Sequence, residues 1–231
     1  MVVSDDSRMI SAESTHMIVL PGGGYAEHAP HEAEPVARWL GEIGVQASVF
    51  RYPLHARHPG PLEALRGEIS RRRAAGAQRI GLIGFSAGGH LAGLAALAPG
   101  AAPDQAVQFA VLGYAITSME TETYRPARLI LLGPDASPRL RRSASLDALV
   151  TPQSPPFFIW HTAEDPYVPP EHTYRFASAL AASHVAHAVH VFAHGPHGLG
   201  LARGAGDAAN WTALASTWIH EQAEPRDDSA P

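Results

Sequence analysis

Short apolar runs alternate with longer amphipathic stretches along most of this chain. Met17–Leu20 (MIVL) is the first run, and it stops at Pro21-Gly22-Gly23-Gly24. Val45–Phe50, Arg79–Gly84 (RIGLIG), Phe109–Tyr114, Phe157–His161 (FFIWH) and Val189–Phe192 are of the same kind. Each is too short for a helix and bounded by turn residues, which predicts strands. In Pro35–Ile43 the apolar residues Val36, Leu40 and Ile43 recur at helical spacing, and Gly44 fits the helix end. The stretch Pro61–Ala75 opens with proline and closes near Arg71-Arg72-Arg73, cations that suit the negative end of a helix dipole. Ala87–Leu97, residues 171–183 and Ala208–Glu221 complete five predicted helices.

Six strands alternating with five helices imply right-handed β-α-β crossovers. The expected class is therefore α/β, with a mostly parallel sheet of about six strands and helices on both faces. Such sheets carry their chemistry at the carboxyl ends of the strands. Residues 16–223 are read as a single domain without internal repeats. The stretch 115–156 follows neither period and is expected to form a lid-like excursion. The polar ends, 1–15 and 224–231, read as disordered tails.

Composition narrows the partners. The 231 residues include 17 Lys+Arg and 22 Asp+Glu, a net charge of −5 with the 14 histidines neutral. A slight acidic excess without a basic block argues against nucleic acid or an anionic membrane as partner. No run reaches the roughly 18 apolar residues of a membrane span. The absence of cysteine removes disulfides, thiolate metal sites and cysteine nucleophiles together. The opening MVVSDDSRMISAES carries acids where a signal peptide needs a basic region, so the expected location is the cytoplasm.

The strongest chemical signal is Gly84-Phe85-Ser86-Ala87-Gly88, a G-x-S-x-G between a predicted strand and a predicted helix. A strand, a sharp turn and a helix are the context a nucleophile elbow requires. Glycines two before and two after Ser86 keep side chains out of that crowded turn. A serine hydroxyl is a weak nucleophile and needs a base held by an acid, in the chain order Ser, Asp/Glu, His for this kind of sheet. HTAEDPYVP offers Glu164 and Asp165, and AHGPHGLG offers His194 and His197. The glycine-rich setting of His197 suits a loop that must bring a ring against Ser86. Asp165 is favoured over Glu164 because Pro166 fixes the backbone just after its carboxylate. The backbone N–H of Ala87 supplies one oxyanion donor, and the loop Pro21-Gly22-Gly23-Gly24-Tyr25 offers bare backbone for another. That loop opens no G-x-G-x-x-G helix and is followed by no Gly-Lys-Ser/Thr, so it matches neither nucleotide fingerprint.

With LPGGGY, HEAEPVARWL, FRYPL, HPGPL, RIGLIGFSAGGHLAG, PPFFIWHTAEDPYVP and HVFAHGPHGLGLA, the chain resembles the α/β-hydrolases from about residue 16 to 220. Within them it is similar to the small esterase branch related to acetyl-xylan esterases and hormone-sensitive-lipase-like esterases. The resemblance implies Ser86 as nucleophile, Asp165 as acid, His197 as base and Gly23, Gly24 and Ala87 as oxyanion donors. It implies no cofactor. Two departures stand out: Pro21 replaces a histidine usual before the three glycines, and little chain precedes Met17 for extra strands and a cap. A trimmed sheet and a more open site are expected.

The activity so expected is hydrolysis of short-chain carboxylic esters, with acetyl groups on carbohydrates or similar small alcohols favoured by the resemblance. The stretch 115–156 also holds few large apolar side chains with which to bury a long acyl chain. Amidase, peptidase or arylformamidase activity on the same fold is the alternative, as is a non-catalytic ligand-binding protein. His28, His31 and Glu34 have the spacing of a metal set, but Pro30 and Pro35 interrupt the helix such a set needs, so no metal is expected. His90 and Trp160 read as packing residues and Arg71–Arg73 as a solvated helix end. Among tyrosines at the active face (Tyr25, Tyr114 and Tyr167), Tyr25 is the favoured substrate contact.

Overall fold

The structure, a computed structural model, describes residues 15–223. The expected tails therefore lie outside the described residues, except Thr15, which opens the first strand. The strands are β1 (Thr15–Leu20), β2 (Gln46–Val49), β3 (Arg79–Phe85), β4 (Phe109–Gly113), β5 (Phe157–Thr162) and β6 (His187–Phe192). They form one sheet in the order β2-β1-β3-β4-β5-β6, and every neighbouring pair is parallel. The helices are α1 (Glu34–Glu42), α2 (Gly60–Ala74), α3 (Ser86–Leu97), α4 (Arg125–Leu132), α5 (Pro138–Ser143), α6 (Glu171–Ala182) and α7 (Trp211–Ala223).

Alternate residues of β1, β3, β4 and β5 feed two separate cores. Ile18 and Leu20 join Leu62 and Leu65 of α2, Leu91 of α3 and Phe176 of α6 on one face. Met17 and Val19 join Val36 and Leu40 of α1 and Trp211 and Ile219 of α7 on the other. A strand covered on both faces has no solvent side, so β1, β4 and β5 carry the unbroken apolar runs MIVL, FAVL and FFIW. The edge strands β2 (QASV) and β6 (HAVHVF) are half-buried and interleave polar residues.

β1 lies between β2 and β3, so the crossovers that flank it leave toward opposite sides. A crevice opens at such a switch point, beyond the carboxyl ends of β1 and β3. The glycine loop follows β1 and Ser86 follows β3, which puts both at this crevice.

Part of the stretch 115–156, expected to form a lid-like excursion, is anchored in the core. Ala115, Ile116, Thr117, Ser118 and Met119 are buried, and Leu146 presses so closely on α3 that a Cβ on Gly93 would lie 2.3 Å from it. The excursion also packs through Ala127, Leu131 and Leu132 of α4, whereas α5 buries none of its residues. Its irregular sequence hid this because its buried residues come from turns and from helices too short to show a period. The arginines at the end of α2 also differ from a merely solvated end. Arg71 and Arg72 both bind Glu68, and Arg73 binds the Gln78 carbonyl and the Gln108 side chain.

Candidate active site

Ser86 sits at the turn from β3 into α3 with φ of +50°, a left-handed conformation that costs a non-glycine residue about 1–3 kcal/mol. A Cβ on Gly84 would lie 2.4 Å from the Gly88 carbonyl oxygen, and one on Gly88 would lie 2.2 Å from that of Leu20. No larger residue fits at either position. The turn leaves Ser86 at the N-terminus of α3, where first-turn amides such as that of Ala87 have no intrahelical acceptor.

Ser86 Oγ lies 2.9 Å from His197 Nε2. The ring arrives on the loop after β6, which turns at Gly195, Gly198 and Gly200, all with positive φ. Its Nδ1 lies 2.6 Å from Asp165 Oδ2. The carboxylate is held from several sides. The amides of Tyr167 and Val168 each donate to Oδ1 at 2.9 Å, and His161 Nε2 is 3.1 Å from Oδ2. Burial alone would raise the Asp165 pKa. Hydrogen bonds from His161, His197 and the Val168 amide, with the charge of His197, outweigh it and hold the carboxyl well below the usual carboxylate range.

His161 was not singled out from the sequence. It is fully buried, with Nε2 facing Asp165 and the Val168 carbonyl and Nδ1 facing the Thr173 hydroxyl at 2.8 Å. Two acceptors at Nε2 and a hydroxyl at Nδ1 place the ring proton on Nε2. The residue before Asp165, Glu164, points outward and pairs with His194 at 2.9 Å.

Gly23 and Gly24 line one cavity of about 380 Å³ together with Ser86 and His197. Their φ values of +120° and +63° suit glycine. Among the described residues, neither amide donates to a protein acceptor. The adjacent Gly22 amide is occupied, donating to Glu32 Oε2 at 2.7 Å. The site thus joins a hydroxyl, an imidazole, a buried carboxylate and free amides. Along that chain a proton can leave the hydroxyl while the amides receive negative charge.

Tyr25 does not contact this cavity, contrary to expectation. It is fully buried and its hydroxyl meets His90 Nδ1 at 2.7 Å. Its own φ of +63° turns the side chain inward, against Tyr52. The tyrosines on the cavity wall are Tyr124 and Tyr167, 37% and 57% exposed, with ring centroids 5.8 Å apart and edge-on. Tyr124 lies over Gly24, where a Cβ would come within 3.0 Å of its ring. Tyr167 sits 5.8 Å from the His197 ring. Tyr124 was missed because it lies in a polar stretch without a period.

The remaining candidates part ways. His28 packs on Tyr52, His31 Nε2 meets the Gly198 carbonyl and Glu34 pairs with Arg51. His90 is buried between Tyr25 and the Ala144 carbonyl, and burial lowers its pKa to about 4. Trp160 stacks on Trp211 at 4.8 Å.

The BD-FAE family model matches residues 74–180. The solved acetyl ester-xyloside bifunctional hydrolase of Caldicellulosiruptor lactoaceticus is 36% identical, with 90% of this chain and 82% of that one covered at a TM-score of 0.85. A carboxylesterase of Lactobacillus plantarum WCFS1 is 30% identical, with 92% and 87% covered at a TM-score of 0.77. Endo-1,4-beta-xylanase B of Butyrivibrio fibrisolvens is 32% identical over 209 residues, which is 80% of this chain. The chain spans about a third (32%) of that xylanase's length. The chain belongs to the α/β-hydrolases, in their small esterase branch. No helix among the described residues is long and apolar enough to cross a membrane.

Proposed function

We propose that this protein is a serine esterase that removes short acyl groups, acetyl foremost, from carbohydrates or similar small alcohols. Ser86 Oγ attacks the acyl carbon as His197 Nε2 takes its proton. Asp165 keeps the imidazole oriented and stabilises its charged form. The amides of Gly23, Gly24 and Ala87 receive the oxyanion. His197 then hands the proton to the departing alkoxide, and water repeats the sequence on the acyl-enzyme. The single observation that carries this reading is the continuous hydrogen-bonded chain Ser86–His197–Asp165, opening into the cavity lined by Gly23 and Gly24.

The substrate class follows from what surrounds that chain. His197 must protonate the leaving oxygen, so the alcohol lies on its side of the cavity, where Tyr167 stands with Tyr124 edge-on to it. An open aromatic wall suits the face of a sugar ring. Burying a long acyl chain brings about 0.8 kcal/mol per CH₂, and a cavity of about 380 Å³ shared with the alcohol leaves little room for one. The acetyl ester-xyloside hydrolase among its structural relatives is named for the same chemistry.

A panel of p-nitrophenyl esters and anilides, acetylated xylo-oligosaccharides and a fluorophosphonate probe tests the proposal. Acetyl to butyryl esters should be cleaved fastest, acetate should be released from the sugars, and the probe should label wild type but not Ser86→Ala. Labelling that survives in Ser86→Ala, or a preference for decanoyl esters or anilides, would overturn it.

A further inference from the structure

A buried carboxylate other than Asp165 stands on the cavity wall itself. Glu32 is 2% exposed and closes the short 3₁₀ turn Pro30–Glu32 between β1 and α1. Its Oε2 accepts the Gly22 amide at 2.7 Å, and its Oε1 accepts the Tyr114 hydroxyl at 2.5 Å. That hydroxyl oxygen accepts the Gly200 amide at 2.8 Å. Gly22 adjoins the two glycines at the cavity, and Gly200 is three residues after His197. One carboxylate therefore joins the glycine loop to the histidine loop through a single tyrosine.

Two further observations point to the same junction. Tyr114, just past the end of β4, has a φ of +36°, a strained conformation for a side-chain-bearing residue. The strain places its ring edge-on against His197, with centroids 4.9 Å apart. Beside it, His31 Nε2 lies 2.8 Å from the Gly198 carbonyl, and a Cβ on Gly200 would come within 3.0 Å of His31. Glycine-rich loops hold no shape of their own, because glycine loses more conformational freedom on ordering than any other residue. A carboxylate is suited to fix both, since each oxygen accepts from one loop's side. A glutamine of the same shape has one acceptor oxygen and turns an NH₂ toward the other donor.

We infer that Glu32 is a positioning residue: through Gly22 and through Tyr114 and Gly200, it sets the glycine loop and the His197 loop in register, so that oxyanion donors and base converge on one acyl carbon. The inference rests on Ser86 and His197 acting as nucleophile and base. Misplacement of either loop damages contacts made chiefly in the transition state, so it lowers kcat and spares KM.

Glu32→Gln, Tyr114→Phe and the double variant, assayed on p-nitrophenyl acetate with thermal unfolding in parallel, test this. Glu32→Gln should lower kcat about 100-fold with KM within about threefold of wild type, the scale of a small misplacement or a lost oxyanion donor. Tyr114→Phe should lower kcat about tenfold. The double variant should be no worse than Glu32→Gln beyond about threefold, because both changes cut one chain. If Glu32→Gln does not fold, Tyr114→Phe decides by the same split between kcat and KM. The inference falls if the variants that fold keep kcat within twofold of wild type, if the loss lies in KM, or if the two losses multiply. Failure of the underlying reading looks different: wild type would then show no ester hydrolysis that Ser86→Ala removes.

Discussion

Asp165 and Glu164 are adjacent in the chain, and each faces a histidine from the same loop, at 2.6 Å for His197 and 2.9 Å for His194. Their surroundings are opposite. The Asp165 side chain is 0% exposed and His197 15%, whereas Glu164 is 58% exposed and His194 84%. Asp165 receives two amides and two imidazoles. Glu164 receives His194 and a longer contact from the Gly195 amide. Both carboxyls are lowered from their ordinary values by these partners, but water screens the outer pair and gives its side chains freedom to part. Pairing a carboxylate with a histidine is common chemistry. Fixing the pair takes burial and enough donors to compensate it.

The comparison breaks most visibly at the histidines. His197→Ala should lower kcat by up to about 10⁶, and His194→Ala should stay within about threefold, both read on p-nitrophenyl acetate. Comparable losses would mean that the exposed pair takes part. At the acids, Asp165→Asn should cost about 10⁴ in kcat, while Glu164→Gln retains near wild-type turnover; the reverse ranking would reassign the acid. His161 sharpens the contrast because the outer pair has no counterpart to it. Replacing it by phenylalanine removes a donor from a buried carboxylate, which should cost about 1–3 kcal/mol in urea unfolding and lower kcat about tenfold. Unchanged stability would show that the remaining donors suffice.

The smallest effect is in pH. The Asp165 pKa is lower folded than its ordinary 3.8, so its stabilisation is present above that value and is lost as pH falls toward the folded pKa. The urea midpoints of wild type and Asp165→Asn should keep a constant separation from pH 7 to about pH 4.5 and converge below it. Glu164→Gln should leave the midpoint unmoved at 0.5 M salt across the same range. A separation that does not shrink at all between pH 4.5 and about pH 2 would disconnect the stability of Asp165 from its charge.

Much of the fold was legible because its rules are local or periodic. A strand buried on both faces must be apolar throughout, which exposed β1, β4 and β5 in the sequence. The extra helices α4 and α5 escaped notice, since eight and six residues are too few for a helical period to stand out. Tyr25 escaped for a different reason. Its position after the first strand is set by sequence, but its direction depends on positive φ values at Gly23, Gly24 and Tyr25 itself, which no apolar pattern encodes.

The sequence by itself determined the parallel α/β order, the turn at Ser86 that only Gly84 and Gly88 permit, and the succession of serine, acid and histidine on loops at strand ends. Those properties follow from backbone sterics and from which residues can face a core, and a few adjacent positions suffice to express them. The tertiary structure decided which tyrosines line the cavity and how His161 and Glu32 hold what they hold. Glu32 and Tyr114 are 82 residues apart, and Tyr114 and the Gly200 amide 86 apart. A hydrogen bond of 2.5–2.8 Å between such positions leaves no periodic trace along the chain, because it depends on how three loops converge once the sheet has formed.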